Sequence, residues 1–278
     1  MNGLLEAGGH VIDLTSRPLV MAILNVTPDS FSDHYAQLDQ ALARAERMLE
    51  QGCDWLDIGG ESTRPGSESV DLETEWQRVG PVIRLLRART RLPLSIDTRR
   101  AEIARRAGLE GVDVINHVSA SLEFEAMIPL LCESQLGYIA MHMKALPKVM
   151  QAQAEYRDVI LEVATSLGGI AKRLNAEGIA STRVLFDPGI GFGKTLAHNL
   201  ALLANCEALA TDLGRPLVIG LSRKRWLGEL LQLPLEDRDA ATATASALLP
   251  FPAVAIHRVH NIVATKQALR LREVLCGP

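Results

Sequence analysis

The chain lacks several features that would narrow its class at once. Aromatic residues make up only 4% of its 278 residues, and no apolar run is long enough to span a membrane. Its cysteines, Cys53, Cys132, Cys206 and Cys276, stand far apart with no paired spacing. That excludes a disulfide framework and a thiolate zinc site, and leaves packed free thiols in a reducing compartment. No Pro/Gly/Ser-rich tether, low-complexity tract or block of like charge divides the chain. The net charge of −4 argues against a nucleic-acid surface. The arginines from Arg84 to Arg91, Arg99-Arg100 and Arg105-Arg106 have no aromatic residues interleaved, so they read as solvated helix faces. Met1 to His10 lacks the basic start and apolar stretch of a signal peptide, which makes the cytoplasm the expected compartment.

With 47% hydrophobic and 22% charged residues, the chain can bury a large core. Short apolar runs alternate with amphipathic stretches, the pattern of repeated β-α units with parallel strands. Candidate strands are Val20–Leu24, Trp55–Ile58, Leu94–Ile96, Val112–Ile115, Tyr138–Met141, Val184–Phe186, Leu217–Ile219 and Val254–Ile256. Helical patterns cover Gln40–Gln51, Glu73–Arg89, Arg100–Gly108, Phe124–Ser134, Asp158–Glu177, His198–Leu213 and Ile262–Leu275. Eight alternations in this length favour a closed TIM (β/α)8 barrel over an open doubly wound sheet. The expected organisation is therefore one domain, 1–278, with the barrel proper over residues 19–276.

Asp187-Pro188-Gly189-Ile190-Gly191-Phe192-Gly193-Lys194 runs a carboxylate at a strand end into a glycine-rich turn. Gly193-Lys194-Thr195 imitates the end of a nucleotide phosphate loop, but that motif would need glycine where Pro188 stands. A barrel places its chemistry just after each strand. Those positions hold Asn25, the run from Gly59 to Gly66, Asp97-Thr98, Asn116, His142-Met143-Lys144, Asp187, Ser222-Arg223-Lys224, and Arg258 with His260. Asp97, Asn116 and Asp187 offer acceptors, while Lys224, Arg258 and His260 offer donors suited to an anion.

These strand ends carry a resemblance. Asn25-Val26-Thr27-Pro28-Asp29-Ser30-Phe31-Ser32-Asp33, Asp57-Ile58-Gly59-Gly60-Glu61-Ser62-Thr63-Arg64-Pro65-Gly66, Ser95-Ile96-Asp97-Thr98, Asp187 to Lys194, Ser222-Arg223-Lys224 and Arg258-Val259-His260 closely resemble the signatures of the dihydropteroate synthase family. The likeness runs from Val20 to the C-terminal helix. It implies a barrel enzyme of folate synthesis that joins p-aminobenzoate to 6-hydroxymethyl-7,8-dihydropterin diphosphate and releases diphosphate with Mg²⁺ present.

A dihydropterin presents adjacent N–H donors that one buried carboxylate can accept in a fork, and Asp187 suits that role. The resemblance implies that Asp97, Asn116, Met141, Phe192, Lys224 and Arg258 complete the pterin site. It assigns Asn25, Thr63, Arg258 and His260 to diphosphate, with Asn25 as metal ligand. Thr63, Arg64, Pro65 and Ser222 would form the p-aminobenzoate pocket, with Asp33, Lys224, Arg258 and His260 as catalytic groups. Arg258 can lie flat on a ring while pointing donors at phosphate, which lysine cannot. Loop closure over the site would exclude water. The resemblance also implies a homodimer through the last helices.

The chain departs from the family pattern in places. His34-Tyr35-Ala36 stands where two glycines usually follow, in a shorter first loop. His117 replaces an aspartate after Asn116, Asn261 replaces one after His260, and Lys144-Ala145-Leu146-Pro147 replaces Lys-Gly-Thr-Pro. These changes keep two alternatives open: a pterin-binding paralogue with altered or no catalysis, and a pterin-dependent methyltransferase. His142 reads as a structural or pterin-adjacent residue, since Asn25-Val26-Thr27 lacks the His-x-His of metal-dependent barrel hydrolases. Glu61 fits either an orienting role in the second loop or a cap or salt bridge.

Overall fold

The computed structural model describes residues 2–27, 34–62, 67, 69–145, 149–151 and 154–277, with the side chains of 34–37 left aside. Eight strands close a parallel barrel in chain order: β3 (Leu19–Asn25), β4 (Trp55–Gly59), β5 (Leu94–Asp97), β6 (Val114–His117), β7 (Gly137–Met141), β8 (Val184–Asp187), β9 (Leu217–Ile219) and β10 (Val254–Val259), which pairs back onto β3. The expected strands are all present. The fourth starts later than its apolar run suggests, at Val114, and just before it the Asp113 carboxylate accepts hydrogen bonds from Leu94 N at 2.8 Å and Arg87 at 2.9 Å.

A hairpin that the periodicity did not predict precedes the barrel. β1 (Leu4–Ala7) and β2 (His10–Asp13) pair antiparallel around Gly8 and Gly9, whose φ values of 55° and 86° suit a two-residue turn. Its Leu5 and Ala7, with Leu14 just after β2, pack on Leu19, Met21, Trp55, Val114, Ile139, Leu185 and Val218. The hairpin thus stops the N-terminal end of the barrel with an apolar plug. Arg215 ties it down, donating to Asn2 O at 2.7 Å, Leu4 O at 2.6 Å and Val184 O at 3.0 Å.

Eleven helices surround the strands among the described residues: α1 (His34–Glu50), α2 (Leu72–Arg87), α3 (Ala101–Leu109), α4 (Ala120–Glu123), α5 (Ile128–Glu133), α6 (Val159–Ala176), α7 (Leu196–Ala204), α8 (Cys206–Leu213), α9 (Arg225–Leu231), α10 (Arg238–Leu248) and α11 (Ile262–Cys276). None is long and apolar enough to cross a membrane. Asp71 caps α2 and Asp158 caps α6 through their carboxylates, satisfying first-turn N–H groups. Two expected helices are broken. The stretch from Phe124 opens as a 3₁₀ turn, and α5 restarts with Pro129 in its first turn, where proline's missing N–H costs nothing. The stretch 198–213 splits at Asn205, whose backbone leaves the helical region and whose Nδ2 donates to Ala201 O at 2.8 Å.

Successive strand residues face opposite sides. Val20, Ala22, Leu24, Leu56, Ile58, Ile96, Tyr138 and Phe186 face outward and form one continuous core with the helices. Inward-facing residues divide by height. Met21, Trp55, Val114, Ile139, Leu185, Val218 and Ile256 fill the lower barrel. Above them the strands turn polar, and this change of character positions the site.

Candidate active site

The lower and upper layers meet at a chain of buried hydrogen bonds. Trp55 Nε1 donates to Ser95 Oγ at 2.9 Å, and Ser95 Oγ donates to Asp57 Oδ1. Asp57 Oδ2 accepts from Asn116 Nδ2 at 3.0 Å and from Arg258 Nε at 2.6 Å. The same guanidinium reaches Asp97 Oδ2 at 2.5 Å through Nη2. Burial opposes the charge on Arg258, but Asp57 and Asp97 outweigh it and raise its pKa further. Asp97 is raised above the ordinary carboxylate range by burial, with Arg258 opposing and Asp57 adding to the rise. Its Oδ1 is buried and has no hydrogen-bond partner among the described residues. A buried acceptor left open is costly unless a ligand donor fills it.

Across the mouth, Asp187 ends β8 and its Oδ1 accepts from Gly189 N at 2.7 Å. Gly189 is obligatory there: its φ is 71°, and a Cβ would collide with the His142 carbonyl oxygen. Burial raises the Asp187 pKa, while Lys224, Arg258 and Lys194 pull it down. Lys224 donates to Ile190 O and lies 4.5 Å from the Phe192 ring centroid. Burial lowers its pKa to about 8, with Asp187 opposing. Met141 packs with Val118, Met143, Ala145 and Met150 into a small apolar wall against which Phe192 rests.

Lys194, which sequence reasoning used only against the phosphate loop, is buried behind Asp187. Its Nζ lies 3.1 Å from His142 Nδ1 and donates to Phe192 O at 3.1 Å. Burial lowers its pKa to about 7 and that of His142 to about 3. His142 is therefore a neutral partner of a buried lysine, in keeping with a structural role.

Ser222 and His260 come together. Ser222 Oγ lies 2.9 Å from His260 Nδ1 and accepts from His260 N at 3.1 Å. Arg223 between Ser222 and Lys224 has φ of 59°, a left-handed turn that splays its two neighbours, and its guanidinium grips Asp239 at 2.6 and 2.7 Å. Asn25 ends β3 beside Gly59, which is followed in the sheet by Asp97. Asp33, Thr63, Arg64 and Pro65 lie outside the described residues.

Two of the departures find partners in the structure. His117 sits on the outer side of β6, with Nδ1 2.7 Å from Tyr138 Oη and Nε2 3.2 Å from Ser119 Oγ. Asn261 caps α11, accepting from Ala264 N at 3.1 Å, and also donates to Asp239 at 3.2 Å. Sequence reasoning also missed Asp57, although a lone carboxylate at the same inward parity as Trp55 in a doubly buried strand was a signal that a cation must meet it.

Among the described residues no group of three or more His, Cys, Asp or Glu side chains could hold a metal ion. A divalent cation at the mouth could take the Asn25 amide oxygen together with substrate oxygens and water. One neutral amide oxygen fits that chemistry for Mg²⁺, which keeps much of its water and leans on phosphates.

The pterin binding enzyme family matches residues 21–260. The dihydropteroate synthase of Neisseria meningitidis serogroup C is 45% identical, over 97% of this chain and 96% of that protein. A Yersinia pestis dihydropteroate synthase solved as a sulfonamide drug complex superposes with a TM-score of 0.91 at 39% identity, covering 99% of this chain and 100% of its own. A Xanthomonas albilineans dihydropteroate synthase solved with 4-aminobenzoic acid gives 0.90 at 39% identity, with all of both chains covered. A buried acid floor ringed by cations at the mouth of a parallel barrel, and likeness of this extent, lead to one conclusion: the chain belongs to the pterin binding enzymes and, among them, to the dihydropteroate synthase family.

Proposed function

We propose that the Asp97, Asp187, Lys224 and Arg258 constellation binds the pterin and carries the family's reaction. That reaction is a transfer forming a C–N bond: the amine of p-aminobenzoate bonds to the pterin methylene, the methylene C–O bond breaks with its electron pair on the departing diphosphate, and the amine nitrogen gives up one proton to water or to the diphosphate. The observation that carries the reading is the open Oδ1 of Asp97, buried within a site where Asp187 supplies a second acceptor. Ring N–H groups would fill these acceptors, and Lys224 would donate to the ring's carbonyl side. Asn116, Met141 and Phe192 would complete the enclosure.

Departure of diphosphate leaves charge on oxygen, which positioned cations stabilise. Arg258 is fixed by Asp57 and Asp97 through Nε and Nη2, which leaves Nη1 to point at phosphate. Asn25, Thr63 and His260 would share that contact. Mg²⁺ held by Asn25 would supply further neutralisation of the leaving group. Asp33, Lys224, Arg258 and His260 are the groups we assign to catalysis. Thr63, Arg64, Pro65 and Ser222 would receive p-aminobenzoate, a substrate that the 4-aminobenzoic acid complex of the Xanthomonas relative supports. The sulfonamide drug complex of the Yersinia relative supports sulfonamide binding by this chain.

A homodimer is also proposed. Leu248 at 80%, Leu271 at 62%, Val274 at 65% and Leu275 at 77% exposure put large apolar side chains in water on α10 and α11, which pack together.

Steady-state turnover with both substrates, compared with Asp187→Asn, tests the assignment. The amide keeps the shape but loses the forked acceptor, so turnover should fall by about a hundredfold or more. Wild-type turnover in Asp187→Asn would remove the pterin assignment, and absence of diphosphate release from folded wild type would favour a non-catalytic paralogue.

A further inference from the structure

We propose that Arg223, clamped by Asp239, is a positioning residue: the ion pair holds its backbone in the left-handed conformation that sends Ser222 and Lys224 to opposite sides of β9, and so sets affinity for both substrates. The inference rests on the assignment of Lys224 to the pterin and of Ser222 to p-aminobenzoate.

The three residues follow β9 in a tight turn. Lys224 N donates to Leu221 O at 3.3 Å, and Arg223 occupies the third position of that turn with φ of 59°. Glycine or asparagine ordinarily fills such a position, because a Cβ disfavours left-handed backbone. From here the neighbours diverge. Ser222 Oγ lies 2.9 Å from His260 Nδ1, just beyond β10, while Lys224 donates to Ile190 O, just beyond β8. The strand β9 stands between those two in the barrel. Relaxation of Arg223 out of the left-handed region would redirect at least one of the two side chains.

The α10 helix supplies what holds an arginine in this backbone. Arg223 Nε and Nη2 fork onto the two oxygens of Asp239 at 2.6 and 2.7 Å, and Asn261 donates to the same carboxylate at 3.2 Å. The Arg223 backbone is caught as well: its N donates to Oγ1 of the buried Thr242 at 3.2 Å, and its O accepts from Arg238 Nη1 at 3.2 Å. The hydrogen bond from Arg223 holds the Asp239 pKa below its ordinary value, with burial opposing. A partly exposed pair of this kind contributes little net stability. Its bidentate fork supplies direction instead, and a strained backbone persists where its surroundings over-determine it.

The test uses the full-length protein and the conformational freedom of glycine. Arg223→Ala loses the clamp but keeps a Cβ that resists the left-handed region, so the calorimetric Kd for the pterin diphosphate and the KM for p-aminobenzoate should each rise about tenfold. Arg223→Gly loses the same side chain yet adopts that backbone freely, and both constants should stay within about threefold of wild type. Asp239→Asn should raise both constants in the wild-type background and add nothing in Arg223→Gly. That second comparison carries the test if Arg223→Ala does not fold. Losses as large in Arg223→Gly as in Arg223→Ala, or unchanged constants in Arg223→Ala, would overturn the proposal, as would an Asp239→Asn effect that persists in Arg223→Gly. Lys224→Ala separates this role from the pterin assignment: if it leaves the pterin Kd unchanged, the assignment fails. If it raises that Kd and neither Arg223→Ala nor Asp239→Asn does, the positioning role fails alone.

Discussion

Arg258 at the end of β10 reaches past β3 to Asp57 within β4, Nε to Oδ2 at 2.6 Å, and this pair fastens the polar mouth to the barrel's interior. Asp57 in turn is held by Ser95 and Asn116, so the guanidinium's plane is set by the strands themselves.

Arg258→Lys keeps the charge and loses the fork. A single ammonium cannot bridge Asp57 and Asp97 while serving phosphate, and one buried carboxylate is left short of a partner. We expect kcat/KM to fall about a hundredfold, roughly 3 kcal/mol of transition-state stabilisation. Steady-state kinetics check this, and a loss below threefold would contradict the bridging role.

The pH profile should be bell-shaped. Binding needs Asp97 and Asp187 ionised, and both are raised by burial, so activity falls as pH drops through values above the usual carboxylate range. It also needs Lys224 charged, and its pKa is lowered to about 8, so activity falls again as pH rises through that region. In Lys224→Arg the alkaline limb should move beyond the accessible range, because arginine stays protonated. A limb that does not move assigns it to another group.

The plug hairpin lies at the opposite end from the chemistry. Leu5→Ala and Leu14→Ala each remove a fully buried side chain and should cost about 3–5 kcal/mol in denaturant unfolding. Both KM values should stay near wild type in the folded protein. A selective rise in either KM would show coupling between the barrel's two ends.

Introducing charge on the exposed C-terminal face should release monomers. Leu271→Glu with Leu275→Glu places carboxylates where a dimer would bury them, and sedimentation should shift from dimer to monomer. A wild-type monomer at micromolar concentration would remove the dimer proposal.

Much of the barrel was legible because its strands are buried on both faces and read as short apolar runs. The strand ends were legible because polar groups there interrupt those runs. The hairpin was not read, although Gly8-Gly9 between Leu4-Leu5 and Val11-Ile12 is a two-residue turn signal. It was overlooked because it lies outside the β-α rhythm. Asp57 was quoted only as part of a motif, and its role depends on Arg258, distant in sequence and brought close by barrel closure. Lys194 was set aside together with the phosphate loop that fails at Pro188, and only the fold reveals His142 and Asp187 beside it.

The buried charges of the mouth have a consequence for ionic strength. Asp57, Asp97 and Asp187 stand against Lys194, Lys224 and Arg258, so the formal charges of these six described residues cancel when all are ionised. A balanced array of this kind projects little net potential into solvent, and mobile ions screen buried pairs only weakly. The ion pairs of the mouth are therefore expected to hold together over a wide range of background salt.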